Sequence, residues 1–484
     1  MNTRRFLAQW RAAAFAVATT LTLGACGFLD PTEVENPSTT EDDLLNAVRP
    51  TAALLPGLRA AFATAINPVI PEVVSDNYSI HGTGINKTND FPRQLTPDLI
   101  GGVYSNPQQL RSLTEFVLND IIPTDSLATV AQEHEARYYY GMSFLVMGEW
   151  FAGVPIEQDG APVGSTDLIN RAISELGEAI TADPGGDFAL PAQAALARAH
   201  RLVGNAAEAD NFASIALGTD PTFIVEQGYD PATITNGPFT FLYLRSLKEM
   251  QPLPRLDFLD PKYTAREAPI IVAKAEEMLL IRAEVAFSNG DYAAGRELVA
   301  QAVEVAQARP TDDFEDDDPR LDLDLLERPH DASITFRADA SSPYRAGLVL
   351  TRPGTVTTPT VAATSLDADS IRAIAATEEE SLLHAFFLAR QEMLFLEGRR
   401  MADLGIKLPM SLTEIETNPS VNTGDLGTAV IVPSFVPAED QMDLFTPQTP
   451  YDASGNLVST QITGLVDVNR ILAQNRVTPF GTFP

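Results

Sequence analysis

The stretch whose side chains are best suited to ligand chemistry is Ser75–Phe91, with the sequence SDNYSIHGTGINKTNDF. It mixes amides and hydroxyls with aromatic rings and shows no helical or strand periodicity, so we predict a long loop. Amides and hydroxyls can fix a polyhydroxylated ligand by hydrogen bonds, and an aromatic ring can stack on its apolar face. A solvated polar loop has a similar composition, so the residues by themselves leave both interpretations open.

The sequence lacks the motifs of common catalytic and metal sites. No two of the five histidines are four residues apart, which excludes the two-histidine zinc helix. There is no P-loop, dinucleotide fingerprint or nucleophile elbow. Because Cys26 is the only cysteine, a thiolate metal cluster and a disulfide within the chain are also excluded. We therefore predict no metal, no cofactor and no enzymatic activity, although the 65 acidic residues keep a glycan-degrading enzyme as an alternative.

One acidic run offers carboxylates, which are ligands that calcium prefers. No glycine stands where the loop of an EF-hand would turn, so a solvated charged segment is the favoured interpretation. The run consists of Asp312, Asp313, Glu315, Asp316, Asp317 and Asp318.

The elements that must position any site are helical hairpins. Ala275–Gln307 carries apolar residues at helical spacing on both sides of an Asn-Gly-Asp turn, so each half has one apolar face. Gly290 in this turn accepts left-handed backbone angles, which lets the chain reverse. Ala283 and Gly295 are small enough to let the two backbones approach closely. A single hairpin cannot bury its apolar faces, so we expect stacked copies.

Two further segments repeat this pattern. Ala195–Pro221 aligns with the hairpin when Gly204 is placed on Gly290, and Leu168–Pro184 repeats its second helix. The spacing resembles the tetratricopeptide repeat, and chance similarity among alanine-rich helices is the alternative. We predict an all-α fold of tetratricopeptide-like hairpins elaborated by long irregular loops. The hairpins are expected at about 136–221 and 275–307, and the loop-rich parts at 310–366 and 406–484.

The charge balance argues against nucleic-acid binding. The 484 residues include 33 basic and 65 acidic side chains, a formal net charge of −32. A surface of this charge repels phosphate backbones.

The first 25 residues resemble a bacterial lipoprotein signal. Arg4, Arg5 and Arg11 accompany an apolar run, Ala12–Leu23, that is too short to span a bilayer. The run leads into Leu-Gly-Ala-Cys, which resembles the lipobox, whose cysteine is lipidated. We predict removal of residues 1–25, lipidation of Cys26, a tether over 26–40 and one helical domain over 41–484. An ordinary cleaved signal is the alternative, and we expect no later membrane span.

Four stretches resemble the SusD/RagB family of nutrient-uptake outer-membrane lipoproteins. Ala389 and Met393 stand where this family usually has glutamate, so part of its ion network must differ here. The four stretches occur in family order over nearly the whole mature chain. They are Cys26–Pro31 (CGFLDP), Ala136–Pro155, Ala275–Asp291 (AEEMLLIRAEVAFSNGD) and Ala389–Leu404 (ARQEMLFLEGRRMADL).

The resemblance implies a non-catalytic binder, lipid-anchored in the outer membrane and facing the exterior. Such a protein captures oligosaccharide or, in some members, peptide and delivers it to a TonB-dependent, SusC-like transporter. A scaffold lipoprotein whose repeats bind protein is a further alternative. The ligand is expected on loops, including the one that follows the first long helix, here Ser75–Phe91. The candidate ligand-binding residues are Asn77, Tyr78, His81, Asn86 and Asn89.

The charged residues of the family motifs are expected to lock helices together rather than to contact ligand. Charges on helices with apolar faces are tolerated when they are paired. The residues concerned are Arg282, Glu284, Glu397, Arg400 and Asp403.

Overall fold

Helices dominate the computed structural model, as the all-α prediction requires. It describes residues 48–80, 95–234, 236–244, 250–316, 334–350, 354–437, 442–448, 456 and 458–481. In chain order the α-helices are α1 (Pro50–Ala65), α2 (Val69–Val74), α3 (Gly101–Phe116), α4 (Val130–Trp150), α5 (Ser165–Ala182), α6 (Ala189–Leu202), α7 (Ala206–Thr219), α8 (Ala275–Ser288), α9 (Tyr292–Gln307), α10 (Ala368–Ala373), α11 (Glu379–Met393), α12 (Arg400–Asp403), α13 (Leu412–Thr417) and α14 (Val468–Asn475).

Short strands connect the helices and form small sheets of two or three strands. β1 pairs with β5, β2 with β3, β4 with β6 and β7 with β9, all antiparallel, while β11 lies between β10 and β8. The strands are β1 (Tyr78–Ile80), β2 (Gly153–Val154), β3 (Val163–Gly164), β4 (Ile224–Gln227), β5 (Met250–Pro252), β6 (Ile270–Lys274), β7 (Thr311–Asp316), β8 (Thr335–Arg337), β9 (Gly354–Pro359), β10 (Phe445–Thr446) and β11 (Gln461–Gly464).

The predicted hairpins are present. Helices α8 and α9 are joined through Gly290, and α6 and α7 through Gly204; both glycines have φ of +76°. The turn residue after each glycine caps the second helix: the Asp291 carboxylate accepts from the backbone N of Ala294 at 3.0 Å, and Asn205 takes the same role in α7. Helices α4 and α5 form the third pair, and each hairpin packs against the next.

Helix α8 is buried on more than one side. Met278, Leu280, Ile281 and Ala283 are all fully buried although they point in different directions around the helix. The reason is that α8 contacts α6, α7, α9, α11 and β6. The prediction of a single apolar face was therefore too narrow, because it took no account of neighbours on the other sides.

The aromatic helix α4 lies in the core as well. It begins with a capping box between Thr129 and Gln132. Tyr138, Phe144 and Trp150 are at most 2% exposed, and Phe62 of α1 packs on Tyr139 with ring centroids 4.8 Å apart. The α4 aromatics therefore stabilise the hairpin stack and are closed to ligand.

By length and composition alone, Pro50–Val74 could cross a membrane. In the structure it is two helices, α1 and α2, which are separated at Asn67-Pro68. Helix α1 packs against α3 and α4, as core helices do.

Residues 367–404 do not form one continuous helix. Helix α11 ends at Met393, and residues 394–399 form turns in which Leu396 and Gly398 have φ of +60° and +74°. Glu397 therefore lies in a turn and not on a helix, which corrects the prediction for that residue. A helix that was not predicted, α14, packs on α11 from the C-terminal region.

The acidic run begins as a strand. In β7, the Asp313 and Glu315 carboxylates accept hydrogen bonds from the hydroxyls of Thr357 and Thr355 on β9, at 2.6 and 2.8 Å. Their side chains lie at the surface, as expected of a solvated charged segment. Within the described ranges, no three His, Cys, Asp or Glu side chains come together as a metal site.

Candidate functional site

The two described candidates of the predicted loop lie inside the core. Asn77 and Tyr78 are 0% and 1% exposed. The Asn77 amide donates to Glu72 Oε2 at 2.5 Å and accepts from Gln391 Nε2 at 2.9 Å, while the Tyr78 hydroxyl donates to Asp260 Oδ1 at 2.9 Å.

Asn77 and Tyr78 are thus structural ties, which corrects the prediction that they contact ligand. Ser75–Phe91 is also not one open loop, because its residues 78–80 form β1. His81, Asn86 and Asn89 lie outside the described residues and stay predictions.

Behind Asn77 lies a network of buried charges that ties the ends of the domain together. Asp76 accepts from Arg400 Nε and Nη2 at 2.5 and 2.8 Å, and Lys274 Nζ lies 2.6 Å from Glu397 Oε1. All four side chains are at most 2% exposed at their charged ends. Charges buried to this degree are tolerated only when they are paired.

A second part of this network joins the hairpins to α11 and α12. Glu284 of α8 accepts from Arg201 Nε at 2.6 Å, and Arg201 Nη2 also lies 2.9 Å from Asp403 Oδ1. Asp403 in turn accepts two hydrogen bonds from Arg390, each 2.9 Å long. Each of these side chains is buried and has an ion-pair partner inside the protein, so the network stabilises the fold and is closed to a ligand.

Burial also shifts the titration of groups near this network. It raises the pKa of the Glu72 carboxyl to about 7, against the effect of the Asn77 amide that donates to it. It lowers the pKa of the Lys262 ammonium to about 7. Both shifts follow from removal of a charged group from water.

A groove that is open to solvent lies at the break between α1 and α2. It encloses about 270 Å³, and its walls come from the end of α1, the start of α2, the first turns of α3 and the turn Phe239–Tyr243. Its lining includes Thr64, Asn67, Ile70, Val103, Asn106 and Phe241.

Local sequence explains the shape of this groove. Pro68 cannot continue α1, and Asn67 turns the chain by accepting from the Val69 backbone N at 3.2 Å. Gly237 packs so closely that a Cβ there would lie 2.2 Å from Asn67 Oδ1. On the opposite wall, Gly102 has no side chain to fill the groove, and a Cβ at that position would meet nothing within 4 Å.

The groove combines an aromatic face with free amides. Phe241 is 46% exposed, whereas most aromatic side chains of the described residues are buried. The Asn67 Nδ2 and the Asn106 amide make no hydrogen bond to the described part of the chain. A ring face and unpaired amides on either side of a groove can stack on and orient a sugar ring or a peptide group.

The groove lies outside the loop that the sequence predicted as the ligand site. Asn67, Asn106 and Phe241 come from three separate segments, and Phe241 lies in a stretch without periodicity. The Asn-Pro break at 67–68 was the one local signal, since it marks the end of a helix.

A second open cleft lies on another face of α3. It encloses about 490 Å³ and is lined mainly by polar side chains, including the acids Glu157, Asp159 and Glu414. Its aromatic residue, Tyr104, is only 6% exposed, so the cleft offers no ring face for stacking. Its three acids are the residues on which the alternative of a glycan-degrading enzyme can be tested.

Comparisons with known proteins give similarities of structure only. No family model matches the sequence, and no curated protein matches it. Among solved structures, a SusD superfamily protein from Bacteroides fragilis NCTC 9343 is 10% identical, with a TM-score of 0.49, over 78% of this chain and 98% of the other. A SusD superfamily protein from Bacteroides vulgatus ATCC 8482 is 11% identical, with a TM-score of 0.47, over 75% of this chain and 88% of the other.

A SusD-like carbohydrate-binding protein from Bacteroides fragilis NCTC 9343 is 12% identical with a TM-score of 0.46, over 75% of this chain and 86% of the other. The three matches are to proteins described as SusD-like or as members of the SusD superfamily. They are similarities of backbone path at very low identity, and the function proposed below is argued from the residues of this chain.

Proposed function

We propose that this protein is a non-catalytic, lipid-anchored nutrient-binding protein of the outer cell surface. It captures an oligosaccharide, or another oligomeric nutrient such as a peptide, in the groove beside Phe241. It then delivers the ligand to a TonB-dependent, SusC-like transporter. The anchor is the lipidated Cys26, and the transporter follows from the sequence resemblance.

The observation that carries this proposal is the pairing of an exposed ring with unpaired amides in one groove. Phe241 is 46% exposed, so part of its ring is available to a ligand. Covering this apolar area on binding would be favourable. Asn67 and Asn106 present hydrogen-bonding groups on the facing walls. The groove is held by helices α1 and α3, so its geometry exists before ligand arrives, which reduces the entropy lost on binding.

The first test is binding of the purified protein to a panel of soluble glycans and peptides, by affinity electrophoresis and calorimetry. We expect Phe241→Ala to weaken binding of the retained ligand about tenfold or more, equivalent to about 1.4 kcal/mol. Leu244→Ala is the matched control, because Leu244 is 38% exposed beyond the same turn but does not line the groove.

A blocking variant tests the same groove without removing a contact. Gly102→Phe places a ring in the groove, and Gly101→Phe places the same ring outside it; neither position has a neighbour within 4 Å. We expect loss of ligand binding for Gly102→Phe alone, with equal thermal stability of the two variants. Equal binding by both variants would move the ligand site elsewhere.

Two assays separate this function from its alternatives. Release of product from any glycan in the panel, abolished by Glu157→Gln or Glu414→Gln in the polar cleft, would establish the hydrolase instead. Recovery of a large outer-membrane barrel with the anchored protein supports delivery to a transporter. Recovery of other proteins without such a barrel would favour the scaffold alternative.

A further inference from the structure

A third cavity, distant in sequence from the groove, lies between α11, α14 and the segment that contains β8. It encloses about 310 Å³, which is within the range of small-molecule pockets. Its charged lining consists of Arg255, Arg337, Arg345, Arg470, Glu392 and Asp467. Among the described residues, four guanidinium groups thus face two carboxylates, in a protein whose formal net charge is −32. One of the four, Arg470, also lies 3.4 Å from a third carboxylate, Asp339 Oδ2.

The two carboxylates of the cavity are already engaged by other groups. Glu392 accepts three hydrogen bonds of 2.7 Å, from the Thr364 hydroxyl and from the backbone N and hydroxyl of Ser365. Asp467 accepts from His384 Nε2 at 2.8 Å and from the backbone N of Arg470 at 3.2 Å. Neither carboxylate is therefore free to neutralise the arginines fully.

Two of the arginines have only neutral partners within the described residues. Arg337 donates to the Thr463 hydroxyl and to the Ala340 carbonyl, both at 2.9 Å, and lies over the ring of Tyr344. Arg345 donates to the Ser365 carbonyl at 2.7 Å. Both side chains are half-buried, so water screens their charge only in part.

The deepest cation, Arg255, is incompletely satisfied. It is 5% exposed, and its Nε has no hydrogen-bond partner in the described part of the protein. Its Nη2 bonds to Gln391 and lies 3.6 Å from Asp76, but Asp76 already accepts two shorter hydrogen bonds from Arg400. A buried guanidinium with an unmade hydrogen bond is costly unless a ligand supplies an acceptor.

Part of the remaining wall is apolar. It is formed by Phe336 and Leu348, which are 2% and 5% exposed, together with Leu388, while Ser342 and His384 add polar groups. An inorganic anion would leave these walls without a partner, whereas an organic acid can use both surfaces. We propose that this cavity binds a small organic carboxylate, whose charge meets the arginines and whose apolar body packs against Phe336, Leu348 and Leu388.

Benzoate is a suitable probe, because it carries one carboxylate on a flat apolar body. We expect calorimetry on the full chain at low ionic strength to show saturable benzoate binding that weakens as salt is added. Benzamide, the neutral analogue, and inorganic phosphate should bind at least tenfold more weakly. No saturable benzoate binding, or equal binding of benzamide or phosphate, would overturn the proposal.

Arginine variants locate the site. Arg345→Gln and Arg337→Gln should each weaken benzoate binding about tenfold, since a charge-assisted hydrogen bond is lost. Arg296→Gln is the matched control: Arg296 is also half-buried and donates to a backbone carbonyl, that of Ile374 at 2.9 Å, but lies outside the cavity. Because two variants are used, failure of one to fold leaves the other decisive.

The outcome is independent of the groove. Phe241→Ala should leave benzoate affinity unchanged, and Arg345→Gln should leave binding of the groove ligand unchanged. Unaltered benzoate affinity in both arginine variants, or equal weakening in Arg296→Gln, would show that the acid binds elsewhere.

Discussion

Arg282 and Glu284 stand two residues apart in α8 but have different energetic roles. Arg282 Nε lies 3.0 Å from Asp210 Oδ1, and the two side chains are 33% and 43% exposed. Glu284 is fully buried and is bonded by Arg201 and by the Thr478 hydroxyl. A solvent-exposed pair contributes little, whereas removal of one partner from a buried pair leaves an uncompensated charge.

We therefore expect Glu284→Ala to lower the free energy of unfolding by about 3–5 kcal/mol, because Arg201 would keep only Asp403 as a partner. Arg282→Ala should lower it by about 0–1 kcal/mol. Urea denaturation of both variants measures the difference. Losses of similar size would contradict the assignment of Glu284 as a central tie.

Lys262 offers a test of the interior through pH. Its Nζ lies 4.6 Å from the centre of the Tyr263 ring and has no hydrogen-bond partner among the described residues. Burial lowers the pKa of this ammonium from 10.5 to about 7. Between these values the unfolded lysine holds a proton that the folded one has released, so stability rises with pH in this window, by up to about 1.4 kcal/mol per pH unit.

Lys262→Met should remove this rise and stabilise the protein at pH 7, because an apolar side chain has no proton to lose. Urea denaturation at pH 7, 8 and 9 measures both effects. Parallel profiles for the wild type and the variant would show that Lys262 is not the titrating group.

At the level of elements, the helical hairpins depend on close approach at particular glycines. A Cβ at Gly295 of α9 would lie 2.3 Å from the buried ring of Phe287, which is packed between Tyr292 and Phe386. Gly177 of α5 has no neighbour within 4 Å of the same position. The two helical glycines therefore differ in their packing and not in their secondary structure.

Gly295→Ala should destabilise the protein by about 1–3 kcal/mol, since the ring of Phe287 must move in a packed core. Gly177→Ala should stabilise it by about 0.5–1 kcal/mol, the usual gain for alanine in a helix. Thermal unfolding compares them directly. Stabilisation by both substitutions would mean that the α8–α9 contact tolerates a wider separation.

The elements differ in how far the sequence predicts them. The hairpins were predictable because apolar spacing and a glycine turn are both local signals, as in α8 and α9. The interruption after Met393 was not, because it depends on distant partners. Glu72, far earlier in the chain, accepts from the backbone N of Gly398 at 2.8 Å and so holds the turn that ends the helix.

The same limit explains the site. Asn77 and Tyr78 have the composition of a binding loop, but β1 pairs with β5 and draws them into the core. The groove was not predictable, because Asn67, Asn106 and Phe241 meet only in the folded chain. The arginine cavity likewise gathers side chains from residues 255 to 470.

At the scale of the whole molecule, the acidic composition bears differently on the two proposed ligand sites. A net charge of −32 repels other anions over the surface, so a site for an anionic ligand requires a local concentration of arginine. Among the described residues, the groove beside Phe241 has no charged lining residue, which suits a neutral ligand. If both proposals hold, two chemically different molecules would bind without competition between them.

The long-range ties have a consequence for how the chain is made. Asp76 and Arg400 are 324 positions apart, and Glu72 and Gly398 are 326 apart. While the chain is synthesised or translocated, Glu72 and Asp76 emerge long before the groups that pair with them in the folded protein. Stable folding must wait until the segment around residue 400 is released. Until then, the earlier segments expose surface that the folded protein buries, so we expect them to be prone to aggregation.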